Sequence, residues 1–135
     1  MSRIVLDACV AIAAAQPQEP SHAAARLRLA RVLGDVDEIV VPSLFQVEVA
    51  SGLTRAGWDA ARVNAWVEQI LDNAKIVTIG PRCATRIQRV AMLTRLRAGD
   101  AHYVWLAARE NVSLVTSDNE MLTRASLVSC LAVRP

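Results

Sequence analysis

Four carboxylates sit where they are awkward for folding and useful for chemistry: Asp7, Glu48, Asp100 and Asp118. Asp7 ends the apolar run Ile4-Val5-Leu6, and Asp118 follows Leu114-Val115 through Thr116-Ser117. Glu48 interrupts the apolar stretch Leu44 to Ala50, with no basic residue three or four positions away. Asp100 opens the helical stretch that runs through Ala101, His102 and Tyr103 to Ala107. A carboxylate held against apolar surroundings loses hydration and costs several kcal/mol, roughly, unless something pairs with it. Four such residues at the edges of core elements point to a shared counter-ion. The chemistry that suits them is a hard divalent cation with oxygen ligands, Mg²⁺ or Mn²⁺. Each also has a local explanation: Asp7 and Asp100 can cap helices, and Asp118 can favour a helix N-terminus.

Other chemistries are excluded by their missing motifs. The spacing of the four acids cannot come from a twelve-residue calcium loop. No Gly-rich phosphate loop, dinucleotide fingerprint or G-x-S-x-G elbow occurs. His22 and His102 lack a second histidine at zinc-ligand spacing. Cys9, Cys83 and Cys130 form no C-x-x-C pair, so neither a zinc site nor a disulfide framework is expected. Cys9 reads as a small buried residue near the site rather than a nucleophile.

The elements that must position these acids alternate between strand and helix. Arg3–Asp7 reads as a strand buried on both faces, followed by a short helix from Ala8 that Pro17 and Pro20 break. Ser21 caps a second helix to about Leu33, and Glu38–Val41 is the second strand. A third helix runs from Pro42-Ser43 to Ala56, and a fourth from Trp58-Asp59 to about Asn73. Ile76–Ile79 is the third strand, Arg82 to Leu96 the fifth helix, and Gly99-Asp100 opens the sixth. Ser113–Thr116 is the fourth strand. Ser117 and Glu120 make a capping box for a last short helix, and Leu127–Leu131 is the fifth strand. Helices between successive strands imply an α/β fold with a mostly parallel five-stranded sheet. Ligands of such sheets bind beyond the carboxyl ends of the strands, where Asp7 and Asp118 fall.

Length fits one domain, read here as 1–135, and a 53% hydrophobic content excludes a disordered chain. No apolar run nears the roughly 20 residues that span a bilayer. The start, Met1-Ser2-Arg3, shows no signal-peptide pattern, and the cysteine usage fits a reducing cytoplasm. Net charge is +2, but fourteen arginines face a single lysine, Lys75. Arg82, Arg86, Arg89, Arg95 and Arg97 cluster, either as a solvated face or for phosphate contact.

The order and spacing of four motifs resemble the PIN-domain ribonucleases, and among them the VapC-type toxins of toxin–antitoxin pairs. The motifs are the early strand ending in Asp7, Pro42-Ser43-Leu44 leading to Glu48, Gly99-Asp100-Ala101, and Thr116-Ser117-Asp118. The resemblance covers nearly the whole chain. It implies a PIN-like three-layer α/β/α sandwich and a metal-dependent endoribonuclease that hydrolyses RNA with Mg²⁺, or with Mn²⁺ in its place. It implies Asp7, Asp100 and Asp118 as metal ligands, Glu48 as a fourth catalytic acid and Thr116 as a supporting polar group. It implies a cognate antitoxin and a homodimer. The family often carries Ser, Thr or Asn directly after the first Asp, where this chain has Ala8-Cys9. Two other readings fit the same acids. One is a non-catalytic PIN-like module that grips RNA or protein. The other is a receiver-type phospho-acceptor domain, which needs a lysine at a later strand end. The helices over Ser43–Ala56 and Trp58–Asn73 also carry more apolar surface than one side of a small sheet must bury, which suits a groove for an amphipathic partner helix.

Overall fold

The computed structural model describes residues 2–135; Met1 lies outside the described residues. Five strands alternate with helices: β1 (Ser2–Leu6), α1 (Ala8–Ala15), α2 (His22–Leu33), β2 (Asp37–Pro42), α3 (Leu44–Arg55), α4 (Ala60–Leu71), β3 (Ala74–Val77), α5 (Pro81–Thr94), α6 (Ala98–Glu110), β4 (Ser113–Val115), α7 (Asn119–Arg124) and β5 (Ala132–Val133). A 3-10 turn at Ala125–Val128 joins α7 to β5. The sheet order is β3-β2-β1-β4-β5, and every pairing is parallel rather than mostly so. Helices α1 to α4 pack among themselves, and α5 packs on α6, with the sheet between the two groups. This is the expected three-layer arrangement.

β1 and β2 are central, and their apolar runs are buried. Val5, Leu6, Ile39, Val40 and Val41 are fully enclosed. β1 pairs β2 on one side and β4 on the other. The chain therefore adds β2 and β3 to one flank of β1, then crosses back through α5 and α6 to place β4 on the other. That reversal between β1 and β4 is a switch point, where divergent loops leave a crevice beyond the strand ends. In register, Leu6 pairs with Val115, and Asp7 N–H donates to Val115 carbonyl at 3.0 Å.

Four boundaries differ from the sequence reading. The third strand is Ala74–Val77, not Ile76–Ile79, because pairing to Ile39–Pro42 selects the residues that can meet β2. Apolar content was a poor guide there: Ile76 is exposed. The fifth strand is Ala132–Val133, not Leu127–Leu131. Ser129 takes φ 59 and turns the chain, and both Leu127 and Leu131 are exposed. The cap of α7 is Asp118, whose carboxylate accepts from Met121 N–H at 3.0 Å, and not Ser117. Ser117 Oγ is buried without a hydrogen-bond partner. Helix α6 starts at Ala98 with Arg97 as its cap, so Asp100 lies inside the first turn rather than capping it.

Candidate metal centre

Asp7, Glu48, Asp100 and Asp118 come from four separate elements and line one pocket of about 430 Å³ at the carboxyl ends of β1 and β4. Asp7 lies in the tight step from β1 into α1. Its carboxylate caps α1, accepting from Cys9 N–H at 3.4 Å. Asp118 occupies the equivalent step from β4 into α7. The capping role expected of Asp7 is thus real, Asp118 caps α7 in place of the expected Ser117, and both roles coexist with the shared pocket.

Thr116 joins these two acids. Its hydroxyl donates to Asp7 Oδ2 at 2.7 Å and accepts from Asp118 N–H at 3.0 Å. The hydroxyl fixes Asp7 in one rotamer while holding the turn that presents Asp118. The Cys9 thiol also donates to Asp7 Oδ2, at 3.1 Å. Burial and the neighbouring Asp7 charge push that thiol up to about 12, so Cys9 is a neutral donor rather than a nucleophile.

Glu48 projects from α3 towards α6. Tyr103 donates its hydroxyl to Glu48 Oε1 at 2.6 Å. The other oxygen sits above Gly99, where an added Cβ would lie 2.9 Å from Oε2. Glycine at 99 gives the Glu48 carboxylate its room where α3 approaches α6, and does not serve an unusual φ. Tyr103 is buried in the core, and burial beside Glu48 raises its phenol well above the usual range. The hydroxyl stays protonated and acts as a fixed donor.

Electrostatically, the pocket is unfavourable for its own acids. Burial raises the Asp7 carboxyl, despite hydrogen bonds from Cys9 and Thr116 that lower it. Burial likewise raises Glu48, against the hydrogen bond from Tyr103. Asp100 is pushed up to about 6, first by burial and then by the charges of Asp118 and Asp7. One cation answers them. Arg97 places Nε 3.5 Å from Asp100 Oδ2 and Nη2 3.7 Å from Asp118 Oδ2. These are ionic contacts without hydrogen-bond geometry, and Asp100 Oδ2 remains buried with no hydrogen-bond partner.

A divalent cation fits this donor set. The oxygens are hard, one of them lacks a hydrogen-bond partner, and burial followed by neighbouring charge raises Asp7, Glu48 and Asp100. The acids surround the pocket rather than converge, and among the described residues no three lie close enough to ligate an ion as they stand. Asp7, Asp100 and Asp118 are the residues that would hold one.

Sequence reasoning missed Tyr103, Gly99 as a spacing residue, and Arg97 as part of the site. A signal for Tyr103 existed: it lies three residues after Asp100, on the same helix face. His102 takes no part in the pocket lining, and its Nδ1 lies 2.6 Å from the Ala98 carbonyl of its own helix.

A family model for the PIN domain matches residues 4–126. The chain belongs to the PIN domain family. No curated protein sequence matches it. Among solved structures it is similar to VapBC2 from Rickettsia felis bound to a DNA fragment from their promoter. That match has 15% identity and a TM-score of 0.70, and covers 98% of each chain. PAE2754 from Pyrobaculum aerophilum matches at 20% identity and TM-score 0.69, covering 98% of this chain and 84% of that one. FitAcB from Neisseria gonorrhoeae matches at 19% identity and TM-score 0.64, covering 96% and 95%. At these identities the likeness is one of fold. The PIN fold thus confirms the α/β/α sandwich expected from the motifs. The receiver-type reading loses its lysine: Lys75 sits on β3 and pairs with Glu110 at 3.6 Å, away from the acids.

Proposed function

We propose that this PIN domain is a metal-dependent endoribonuclease, using Mg²⁺ or Mn²⁺, and the toxin of a toxin–antitoxin pair. The observation that carries the reading is the ring of four acids at the switch point, with a buried carboxylate oxygen on Asp100 that has an ionic contact to Arg97 but no hydrogen-bond partner. Four hard oxygen donors gathered at the strand ends suit a cation. Asp7, Asp100 and Asp118 would hold the ion, and Glu48 would orient the attacking water. The Thr116 hydroxyl aims Asp7 and favours its ionised form against the effect of burial. Tyr103 does the same for Glu48. The bound ion supplies a lowered pKa for its water and neutralises charge developing on the phosphate.

The partner readings rest on the same basis. Neighbours in fold include VapBC2, described as bound to a DNA fragment from their promoter, and FitAcB. Most of the apolar surface on α3 and α4 is absorbed by the core: Phe45, Val49, Leu53, Val63 and Ile70 are buried. Trp66 is anchored through Nε1 to the Ala11 carbonyl at 3.1 Å. What remains is a groove of about 660 Å³ between the two helices, with Val47, Ala50, Val67 and Leu71 along it. Val47 and Arg55 also flank the acid pocket or reach it, so a helix in this groove would end beside the metal site. We assign the groove to the antitoxin, and expect a homodimer in its absence. Among the described residues, no helix is long and apolar enough to cross a membrane.

The test is a purified protein incubated with a labelled transcript. Cleavage is expected with Mg²⁺ or Mn²⁺ and not with EDTA, and Asp7→Asn should abolish it while leaving the circular dichroism spectrum intact. Expression of wild type alone should slow bacterial growth, with rescue by the small protein encoded beside it. An Asp7→Asn protein that cuts as fast as wild type refutes the site.

A further inference from the structure

Helix α5 carries Arg82, Arg86 and Arg89 at helical spacing, and all three are exposed. Ile87, Val90 and Thr94 fix the opposite face in the core, so the arginines cannot turn inward. With Thr85 they line a shallow depression of about 360 Å³. Helix α5 contains no acidic residue, and among the described residues none of the three arginines has an ion-pair partner within 4.0 Å. Like charges at this spacing destabilise an isolated helix by about 0.2–0.5 kcal/mol for each pair. A row of guanidinium groups without internal partners is matched by an external row of anions.

The position of the row says which anions. Helix α5 ends at Thr94, and Arg95 then adopts the left-handed conformation, φ 58. This turn is secured on both sides. Thr94 Oγ1 donates to the Val90 carbonyl at 2.8 Å and accepts from Leu96 N–H at 3.3 Å, while Arg124 donates to the Arg95 carbonyl at 3.2 Å. A left-handed non-glycine residue costs about 1–2 kcal/mol and is retained where the surroundings enforce it. Its effect here is to deliver Arg97 to the lip of the acid pocket. The basic helix therefore leads into the candidate metal centre.

We propose that Arg82, Arg86 and Arg89 form a phosphate track on α5 that holds the single-stranded RNA running into the acidic pocket. The proposal rests on the nuclease reading above and adds the surface that grips the strand. One row of residues separated by about one helical turn, 5–6 Å, fits the backbone of one strand. A duplex presents two strands of phosphates and would call for a second basic row. Arginine suits the task because its planar fork donates to two phosphate oxygens at once.

The experiment measures binding of a labelled mixed-sequence single-stranded RNA by the cleavage-deficient Asp7→Asn protein as a function of salt. Each phosphate contact contributes about 0.7 to the slope of log affinity on log salt for single strands. The triple variant Arg82→Gln, Arg86→Gln, Arg89→Gln should lose a slope of about 2. That corresponds to an affinity penalty about 16-fold smaller on going from 50 to 200 mM salt. The matching triple Lys variant should retain the slope. A control triple variant, Arg26→Gln, Arg62→Gln, Arg109→Gln, makes the same change in net charge elsewhere and should also keep it. An unchanged slope in the α5 Gln variant, or an equal loss in the control, overturns the track. So does a variant that binds RNA normally but no longer binds the co-expressed inhibitor, since the surface would then belong to a protein partner. A protein with Asp7 intact that binds RNA through α5 but never cuts it would refute the nuclease reading and leave the track standing.

Discussion

Replacing Asp100 by Asn removes one unfavourable charge from the pocket and keeps the side chain's size. In the metal-free protein Asp100 titrates at about 6 instead of 3.8. Its side chain is only 16% exposed, so solvent screening is limited. At about 1.4 kcal/mol for each pH unit, the ionised carboxylate destabilises the fold by about 3 kcal/mol at neutral pH. The sign follows from proton binding. Between the unfolded value of 3.8 and the folded value of about 6, the folded state holds more protons. Stability therefore falls as pH rises through this window and stays low above it. Asp100→Asn should be more stable than wild type by about 3 kcal/mol near pH 7, and the difference should vanish below about pH 4. For chains near this size that is a melting-temperature gain of about 6–12 °C. The assay is thermal or urea unfolding of both proteins in EDTA across pH. Added Mn²⁺ should narrow the gap from the wild-type side, because the ion binds the ionised carboxylates that the variant has lost. An Asn variant no more stable than wild type at pH 7, or equally stabilised at every pH, would refute the argument that these carboxylates await a cation.

Further outcomes test the neighbouring residues. Excess Mn²⁺ should stabilise wild type by about 2.7 kcal/mol at a hundredfold excess over its dissociation constant, and a double Asp7→Asn, Asp118→Asn variant much less; equal shifts in differential scanning calorimetry would place the ion elsewhere. Arg97→Ala removes the internal cation beside Asp100 and Asp118, so titration calorimetry should show tighter Mn²⁺ binding, and weaker binding would mean that Arg97 organises the site instead. Tyr103→Phe deletes a donor that lowers Glu48, so the acidic limb of the cleavage pH profile should move to higher pH; an unmoved limb would detach Glu48 from the reaction. Gly99→Ala should leave the melting temperature equal or higher, since Ala is favoured over Gly in a helix by about 1 kcal/mol, yet depress cleavage by displacing Glu48; full activity in this variant would show that Glu48 does not need its present place.

The sequence by itself determined the elements and their chemistry. Apolar runs bounded by Pro, Gly and capping residues marked the α/β alternation. Asp7 and Asp118 could be placed at strand ends because the step from strand to helix is written in adjacent residues. The four motifs also carried the family, through their order along the chain. Errors arose where local pattern and pairing disagree. Ile76 to Ile79 and Leu127 to Leu131 are apolar enough for strands, but the parallel pairings to β2 and β4 fall on Ala74–Val77 and Ala132–Val133.

Tertiary structure alone decided that the acids share a pocket. Asp7 and Thr116 are 109 positions apart, and Tyr103 and Glu48 are 55 apart. They meet because β4 inserts beside β1 rather than at a sheet edge, and because Gly99 lets α3 approach α6. Neither fact has a local signature, since strand order is chosen by the burial of whole faces and by register. The same holds for Arg97: one arginine among fourteen in the sequence becomes the cation of the site only through the left-handed turn at Arg95.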